Sequence, residues 1–226
     1  MAPRWSILLP THDRADVVGF AIRSVLAQTV EDWELLVVGD GCTDDTADVV
    51  SGFDDDRIRW FDLPKAPGFG YANRNLAMAE AEGSLVGFMA HDDLLLPDHL
   101  ERMGPLFDRR GVEWAYSRPL WIENDGTIVP FAFDLRRPDA LHEFLNGSNR
   151  IPASCIVHRR SCYDDYGWWP EQSRGGGDFV LWKQILGPSN GANLDYQPAP
   201  TCLHFRADWR VDPAFGPPPL STWLAA

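Results

Sequence analysis

The 226-residue sequence has no apolar run near the ~20 residues that a membrane-spanning helix needs, so no span is expected. Nothing in it looks like a secretory leader. The first apolar run starts at Trp5, behind only Met1-Ala2-Pro3-Arg4, and is broken by Pro10. Basic residues are in short supply, 20 Lys and Arg against 33 Asp and Glu, for a net charge of −13. A polyanion partner needs a basic stripe, so nucleic acid and anionic membrane surfaces are excluded as the main partners, while a divalent cation is well accommodated. Cysteine is scarce. Cys42, Cys155, Cys162 and Cys202 show no CxxC spacing, and Cys155 with His158, three apart, makes only a weak case for a zinc site. Free thiols in a cytoplasmic protein are the expectation. There is no internal repeat.

Hydrophobic residues at 45% and charged residues at 23% describe an ordinary globular chain, long enough for one domain with a real core. The 19 glycines and 18 prolines call for irregular loops, and the ten tryptophans are divided between core and binding surface.

The first half alternates strand and helix. Trp5 to Leu9, Trp33 to Val38, Ile58 to Leu63 and Leu85 to Ala90 read as strands. Between them, a helix carries Val18, Ile22, Val25 and Leu26, with Asp13 as a plausible cap. Others cover Thr43 to Phe53 and Tyr71 to Glu82, the last stopped by Gly83. This order predicts an α/β fold with a mostly parallel sheet and right-handed crossovers. Ligands of such sheets sit at the carboxyl ends of the strands. Thr11-His12-Asp13, Asp40-Gly41 and His91-Asp92-Asp93 are therefore expected at one edge.

The second half is less regular. A helix is expected over 97–110, kinked at Gly104-Pro105. A hairpin turns at Asn124-Asp125-Gly126 between 112–122 and 127–133. A short strand covers 154–157, and a helix over 178–186 turns Leu181, Trp182, Ile185 and Leu186 inward. Gly216-Pro217-Pro218-Pro219 reads as an extended tail.

Several strings carry chemistry, each with a plainer alternative. Asp92 and Asp93 repel one another unless a cation or donors answer them, and hard oxygen ligands suit Mg²⁺ or Mn²⁺; the alternative is a capping loop. Asp40 can accept from a base N–H or a ribose hydroxyl, or simply make an Asp-Gly turn. Gly68-Phe69-Gly70 lacks the third glycine of a dinucleotide fingerprint and follows the wrong strand, which rules out nicotinamide binding. Arg74, near a helix amino terminus, suits a phosphate, or a surface ion pair. Asp178, after Gly175-Gly176-Gly177, is either a carboxylate on a hinged wall or a helix cap. Trp168 and Trp169 are either a sugar-stacking platform or core plugs.

Together these segments resemble the inverting glycosyltransferase family 2. The resemblance rests on Ser6-Ile7-Leu8-Leu9-Pro10-Thr11-His12-Asp13-Arg14, Ser24-Val25-Leu26-Ala27-Gln28-Thr29, Asp40-Gly41-Cys42-Thr43-Asp44-Asp45-Thr46 and Ala72-Asn73-Arg74-Asn75. It continues through Phe88-Met89-Ala90-His91-Asp92-Asp93, Tyr166-Gly167-Trp168-Trp169-Pro170-Glu171 and Gly177-Asp178-Phe179-Val180-Leu181-Trp182, in consistent order from about residue 4 to 187. Ala90 stands where many relatives place the first aspartate of a DxD motif, and Gly177 where many place a glutamate.

The resemblance implies a GT-A, Rossmann-like fold in a single domain over 1–226. It has a nucleotide-binding half (about 4–93), an acceptor and catalytic half (about 94–205) and a tail (206–226). It also implies single displacement from a nucleotide-diphospho-sugar, UDP-linked by default, to a hydroxyl acceptor. Pro10, Thr11, Asp13, Asp40, Arg74 and Asp92 would hold the nucleotide. Asp93, Asp92 and His204 would hold Mn²⁺ or Mg²⁺. Asp178 would be the general base, and Trp168 and Trp169 would meet the acceptor. A catalytically silent nucleotide-sugar or glycan-binding module on the same fold is the competing expectation, supported by Ala90 and Gly177. A nucleotidyltransferase fits less well, because Thr11-His12-Asp13-Arg14 is neither glycine-rich nor strongly basic.

Overall fold

The computed structural model describes residues 2–131, 133–207 and Leu220. One mixed sheet runs through the molecule. Strands β1 (Trp5–Thr11), β2 (Trp33–Asp40), β3 (Ile58–Leu63) and β4 (Leu85–Phe88) pair in parallel, in the order β3-β2-β1-β4. Every residue of β2 is buried, as expected for a parallel strand covered on both faces. The covering helices in this half are α1 (Val18–Leu26), α2 (Thr46–Ser51) and α3 (Tyr71–Ala79).

The sheet continues from β4 by antiparallel pairing with β8 (Ile156–Arg159), which pairs antiparallel with β6 (Trp114–Ile122). Strand β6 runs parallel to the long β9 (Leu194–Phe205), and β9 ends against the two-residue β5 (Leu94–Leu95). The hairpin strand β7 (Ile128–Pro130) pairs with β6 around Gly126, whose φ of 83° is the left-handed conformation the turn requires. The sheet is thus parallel through its first half, with antiparallel pairs in the second.

Several local expectations are corrected. Asp13 does not cap α1: Val17 holds that position without a side-chain bond, and the Asp13 carboxylate turns toward the β2–α2 loop. Helix α2 is only six residues long, and Asp44 supplies its first-turn bonds to Thr46. Helix α3 ends at Ala79, before Gly83, whose N–H instead donates to Ser6 Oγ at 2.8 Å and ties the chain to β1. The helix expected over 97–110 is α4 (His99–Met103) followed by a 3₁₀ segment, Gly104–Asp108, the change falling at Gly104-Pro105. Strand β8 starts two residues late because Ala153–Cys155 is a 3₁₀ turn. Helices α5 (Pro138–Asn146) and α6 (Cys162–Tyr166) had no sequence expectation. Helix α7 (Gly177–Leu186) buries Leu181, Trp182, Ile185 and Leu186 as expected.

Trp5, Trp33, Trp114, Trp169 and Trp182 are core side chains. The four cysteines are free, three of them buried. Among the described residues no helix is long and apolar enough to cross a membrane. Gly216-Pro217-Pro218-Pro219 lies outside the described residues, while Leu220 is buried in a small cluster with Val17, Ile122 and Phe205.

Candidate functional site

Parallel register decides which side chains meet. Thr11 pairs with Gly39, Asp40 with Leu63 and Leu8 with Phe88, so the segments that follow β1, β2, β3 and β4 emerge at one edge. A cavity of about 340 Å³ opens there, lined by Thr11, Asp40, Lys65, Phe69, Arg74 and His91 among others. Arg14, Lys65 and Arg74 give it three fixed cations against the single carboxylate of Asp40, in a chain that is otherwise strongly acidic. Thr11 is buried, and its hydroxyl oxygen has no hydrogen-bond partner among the described residues. A buried unmade hydrogen bond is costly, so a ligand atom is the natural partner.

The Asp40 carboxylate is already engaged. Lys65 Nζ donates to Oδ2 at 2.6 Å, while Ala66 N–H (2.8 Å) and Asn73 Nδ2 (2.7 Å) donate to Oδ1. Asp40 thus shapes the β3–α3 loop as well as the cavity wall. Asp13 does not line the cavity. It sits at a left-handed φ of 49° and accepts from the N–H of Thr43 at 2.7 Å and of Asp44 at 3.3 Å. The Thr43 N–H is the main reason its carboxyl lies below the usual range.

Asp93 is buried, and its carboxylate accepts from Ser154 Oγ at 2.6 Å. His204 Nδ1 lies 2.9 Å from Asp93 Oδ1, although the two residues are 111 positions apart. Asp92 is also buried, in the same turn. Among the described residues the one group of three close metal-type ligands is His12, Asp13 and Cys42, so Asp92, Asp93 and His204 do not form a complete cage. Mg²⁺ and similar ions usually bind through one or two carboxylates together with substrate phosphates, and the Asp93–His204 pair is a donor set of that kind, with His204 on the wall of a cavity and Asp93 buried behind it.

A second cavity, about 590 Å³, lies on the other half of the molecule, lined by Trp121, Arg150, Asp178, Phe179, Trp182 and His204 among others. A smaller one, about 210 Å³, is bounded by Arg74, Phe88, Ala90, His91 and Asp178. Arg74 is shared between the 340 and 210 Å³ cavities, and Asp178 between the 210 and 590 Å³ cavities, so the three are neighbours along one cleft with these side chains as common walls.

Asp178 stands at the join. Arg74 Nη1 donates to it at 2.9 and 3.2 Å, and Trp169 Nε1 donates to Oδ1 at 2.8 Å. Gly176, left-handed at φ 67°, opens α7 and sets Asp178 in the first turn. Gly177 is required by Tyr71: a Cβ there would lie 2.6 Å from the ring, whose hydroxyl accepts the Gly177 N–H at 2.9 Å. Trp169 and Trp168 line neither large cavity. Trp169 is a core plug that orients Asp178, and Trp168 stacks on Tyr163 at 4.7 Å.

The sequence reading placed His91 at the ligand edge without a role, and gave no role to Lys65, Trp121 or Phe179. Lys65 and His91 follow directly from the carboxyl-end rule, since they come just after β3 and β4. Trp121 and Phe179 line one cavity only because the tertiary fold brings β6 and α7 to its walls.

The sequence profile of glycosyl transferase family 2 matches residues 6–167, ending before α7. An Escherichia coli protein, the UDP-Glc:alpha-D-GlcNAc-diphosphoundecaprenol beta-1,3-glucosyltransferase WfgD, is 31% identical over 56% of this chain and 49% of its own length. Staphylococcus aureus TarS 1–349 in complex with UDP-GlcNAc has a similar fold, with TM-score 0.74 and 18% identity over 90% of this chain and 59% of that one. The Pyrobaculum calidifontis mannosyltransferase PcManGT in complex with GDP-Man and Mn²⁺ matches at TM-score 0.67 and 17% identity over 90% of this chain and 57% of that one. The chain thus spans about half to three fifths of these relatives. With a profile match over most of its length and a GT-A fold around a cation-lined cleft, the chain belongs to glycosyl transferase family 2.

Proposed function

We propose that this chain transfers a sugar from a nucleotide-diphospho-sugar, UDP-linked first, to an acceptor hydroxyl by single displacement, with inversion and with Asp178 as general base. The observation that carries the reading is the position of Asp178, among the described residues the one carboxylate lining both the 210 and the 590 Å³ cavities. The 340 Å³ cavity is lined by residues between Pro10 and His91, and the 590 Å³ cavity by residues between Trp121 and His204. That division supports a donor-binding half over 4–93 and an acceptor half over 94–205.

The donor's base and ribose lie against Thr11, Asp40 and Lys65, with Pro10 as wall and Asp13 bracing the neighbouring loop. Arg14 and Arg74 face the diphosphate. Asp93 and His204, with Asp92, are the groups that would hold Mn²⁺ or Mg²⁺. Such a cation supplies Lewis-acid neutralisation of the leaving diphosphate. In the transfer the acceptor O–H proton goes to Asp178, and the oxygen's electron pair forms the bond to the anomeric carbon. The bond from that carbon to the diphosphate oxygen breaks, its pair leaving with the nucleotide. Trp121 and Phe179 offer the acceptor an aromatic wall.

The WfgD name describes transfer of glucose from UDP-Glc to a sugar linked to diphosphoundecaprenol, so UDP-glucose and a lipid-linked sugar are the first pair to try. UDP-GlcNAc and GDP-mannose follow from the two structural relatives. Four free thiols suit a reducing, cytoplasmic setting.

Asp178→Asn is the test. It keeps the bond from Trp169 but cannot take the proton, so transfer should fall by about a hundredfold or more while the fold survives. A helix cap would tolerate asparagine. Near-normal transfer would refute the base and favour the silent binding module.

A further inference from the structure

The Arg74 guanidinium faces two claimants. It lines the donor cavity and also grips Asp178 through Nη1. The ion pair links a residue of the donor cavity to the carboxylate on the acceptor side. It is largely shielded, with side-chain exposures of 16% and 24%. Around it, Phe69 O accepts from Arg74 Nη2 at 3.4 Å, the Tyr71 ring lies under the guanidinium at 4.6 Å, and Trp169 Nε1 donates to Asp178 Oδ1.

We propose that Arg74 is a shared positioning residue. Without donor it occupies Asp178, and an incoming diphosphate draws it away, so that the carboxylate becomes free to accept a proton only after the donor is bound. The inference rests on the proposed donor and base assignments. Its physical basis is competition. A diphosphate carries more negative charge than one carboxylate and offers more acceptor oxygens to the guanidinium fork. Once Arg74 leaves, the indole of Trp169 still fixes Oδ1, so Asp178 keeps its orientation while Oδ2 loses its 3.2 Å contact. The consequence is an ordered reaction in which donor precedes acceptor, and a donor-free enzyme with no free base.

The competition makes an unusual demand: removing the base's charge should strengthen nucleotide binding. UDP, GDP and base-free pyrophosphate are titrated by calorimetry, with Mn²⁺, into the full chain and into Asp178→Asn, Arg74→Gln and the double variant, with melting temperatures as the folding control. Asp178→Asn is expected to bind the preferred probe about fivefold more tightly, since the diphosphate no longer has to break a charge-assisted pair. In the Arg74→Gln background the same substitution should have no effect. Equal affinity of the full chain and Asp178→Asn, a gain that persists without Arg74, or failure of all three probes to bind would each overturn the proposal. Its fate separates from that of the base assignment. Slower transfer by Asp178→Asn at unchanged affinity sinks the competition and leaves the base. Tighter binding with normal transfer sinks the base and leaves the competition.

Discussion

At the scale of single residues, the cleft is organised by groups that hold other groups. Asp178 is held by Arg74 and Trp169, and the chain just before it by the Tyr71 hydroxyl on Gly177 N–H. Gly177 is therefore no simple loss of the glutamate found in many relatives. The space a side chain would take is filled by the Tyr71 ring, 2.6 Å from the position of a Cβ. Gly177→Ala is expected to destabilise the protein by about 1–3 kcal/mol through overpacking, read as a lower denaturant midpoint, and to depress transfer by displacing Asp178. Unchanged stability would mean that Tyr71 can move aside at little cost. Asp93 is bonded to Ser154 and His204 in the same manner. Asp93→Ala should abolish the Mn²⁺-dependent part of UDP binding while leaving the metal-free part. Equal stimulation by Mn²⁺ in the variant would remove Asp93 from the ligand set.

At the scale of elements, α3 joins the two halves of the cleft. One face of its nine residues carries Asn73, which holds Asp40 and the carbonyl of Pro64. Arg74 reaches Asp178, and Asn75 makes paired bonds with the backbone of Trp169, 3.0 Å to its carbonyl and 3.2 Å from its N–H. Asn73→Ala leaves the Asp40 carboxylate one donor short in a buried place, a loss that typically costs about 1–3 kcal/mol. UDP affinity is expected to fall several-fold although Asn73 does not line the cavity; calorimetry showing an unchanged affinity would mean the β3–α3 loop is held by Lys65 and Ala66 alone. Strand β6 makes a separate contribution by turning Trp121 into the larger cavity, edge-on to His204 at 4.6 Å. Trp121→Ala should raise the KM for the acceptor while sparing UDP binding. A matching loss of UDP affinity would assign Trp121 to the donor side instead.

At the scale of the whole molecule, two fully buried imidazoles make stability depend on pH. His99 packs with its Nδ1 2.7 Å from Thr201 Oγ1, and His158 donates from Nδ1 to the Arg159 carbonyl at 2.7 Å beside Phe88 and Tyr163. Burial pushes both pKa values down to about 4. Between that value and the ordinary 6.5 the unfolded chain binds more protons than the folded one. Their stabilising contribution is therefore complete above pH 6.5 and is lost as the pH falls toward 4, on the order of a few kcal/mol in all. The melting temperature is expected to drop across that window, and His99→Gln to flatten the slope. A flat profile in the full chain would mean that neither ring's pKa is depressed in the fold.

The sequence alone determined the alternation of buried strands and amphipathic helices in the first half, and with it the edge where Thr11, Asp40 and His91 gather. Those signals are local: apolar runs of strand length, glycines and prolines between them, and a topological rule for where ligands sit. The order of the family's motifs was legible for the same reason, since each is a short string at the end of a strand or the start of a helix. The second half was read less well because its elements are short and its polar groups are matched at long range. Nothing local marks α5 or α6, or tells that β9 will run beside β6 and bring His204 to Asp93 across 111 residues. Trp169 and Trp121 show the limit clearly. Both are loop-or-strand tryptophans in sequence, and only packing decides that the first is buried with its indole N–H on Asp178 while the second faces the cleft. Arg74 and Asp178, 104 residues apart, could be named separately from their motifs. That they form one ion pair is a property of the tertiary structure, because charge pairing depends on distance in space and no periodicity along the chain records it.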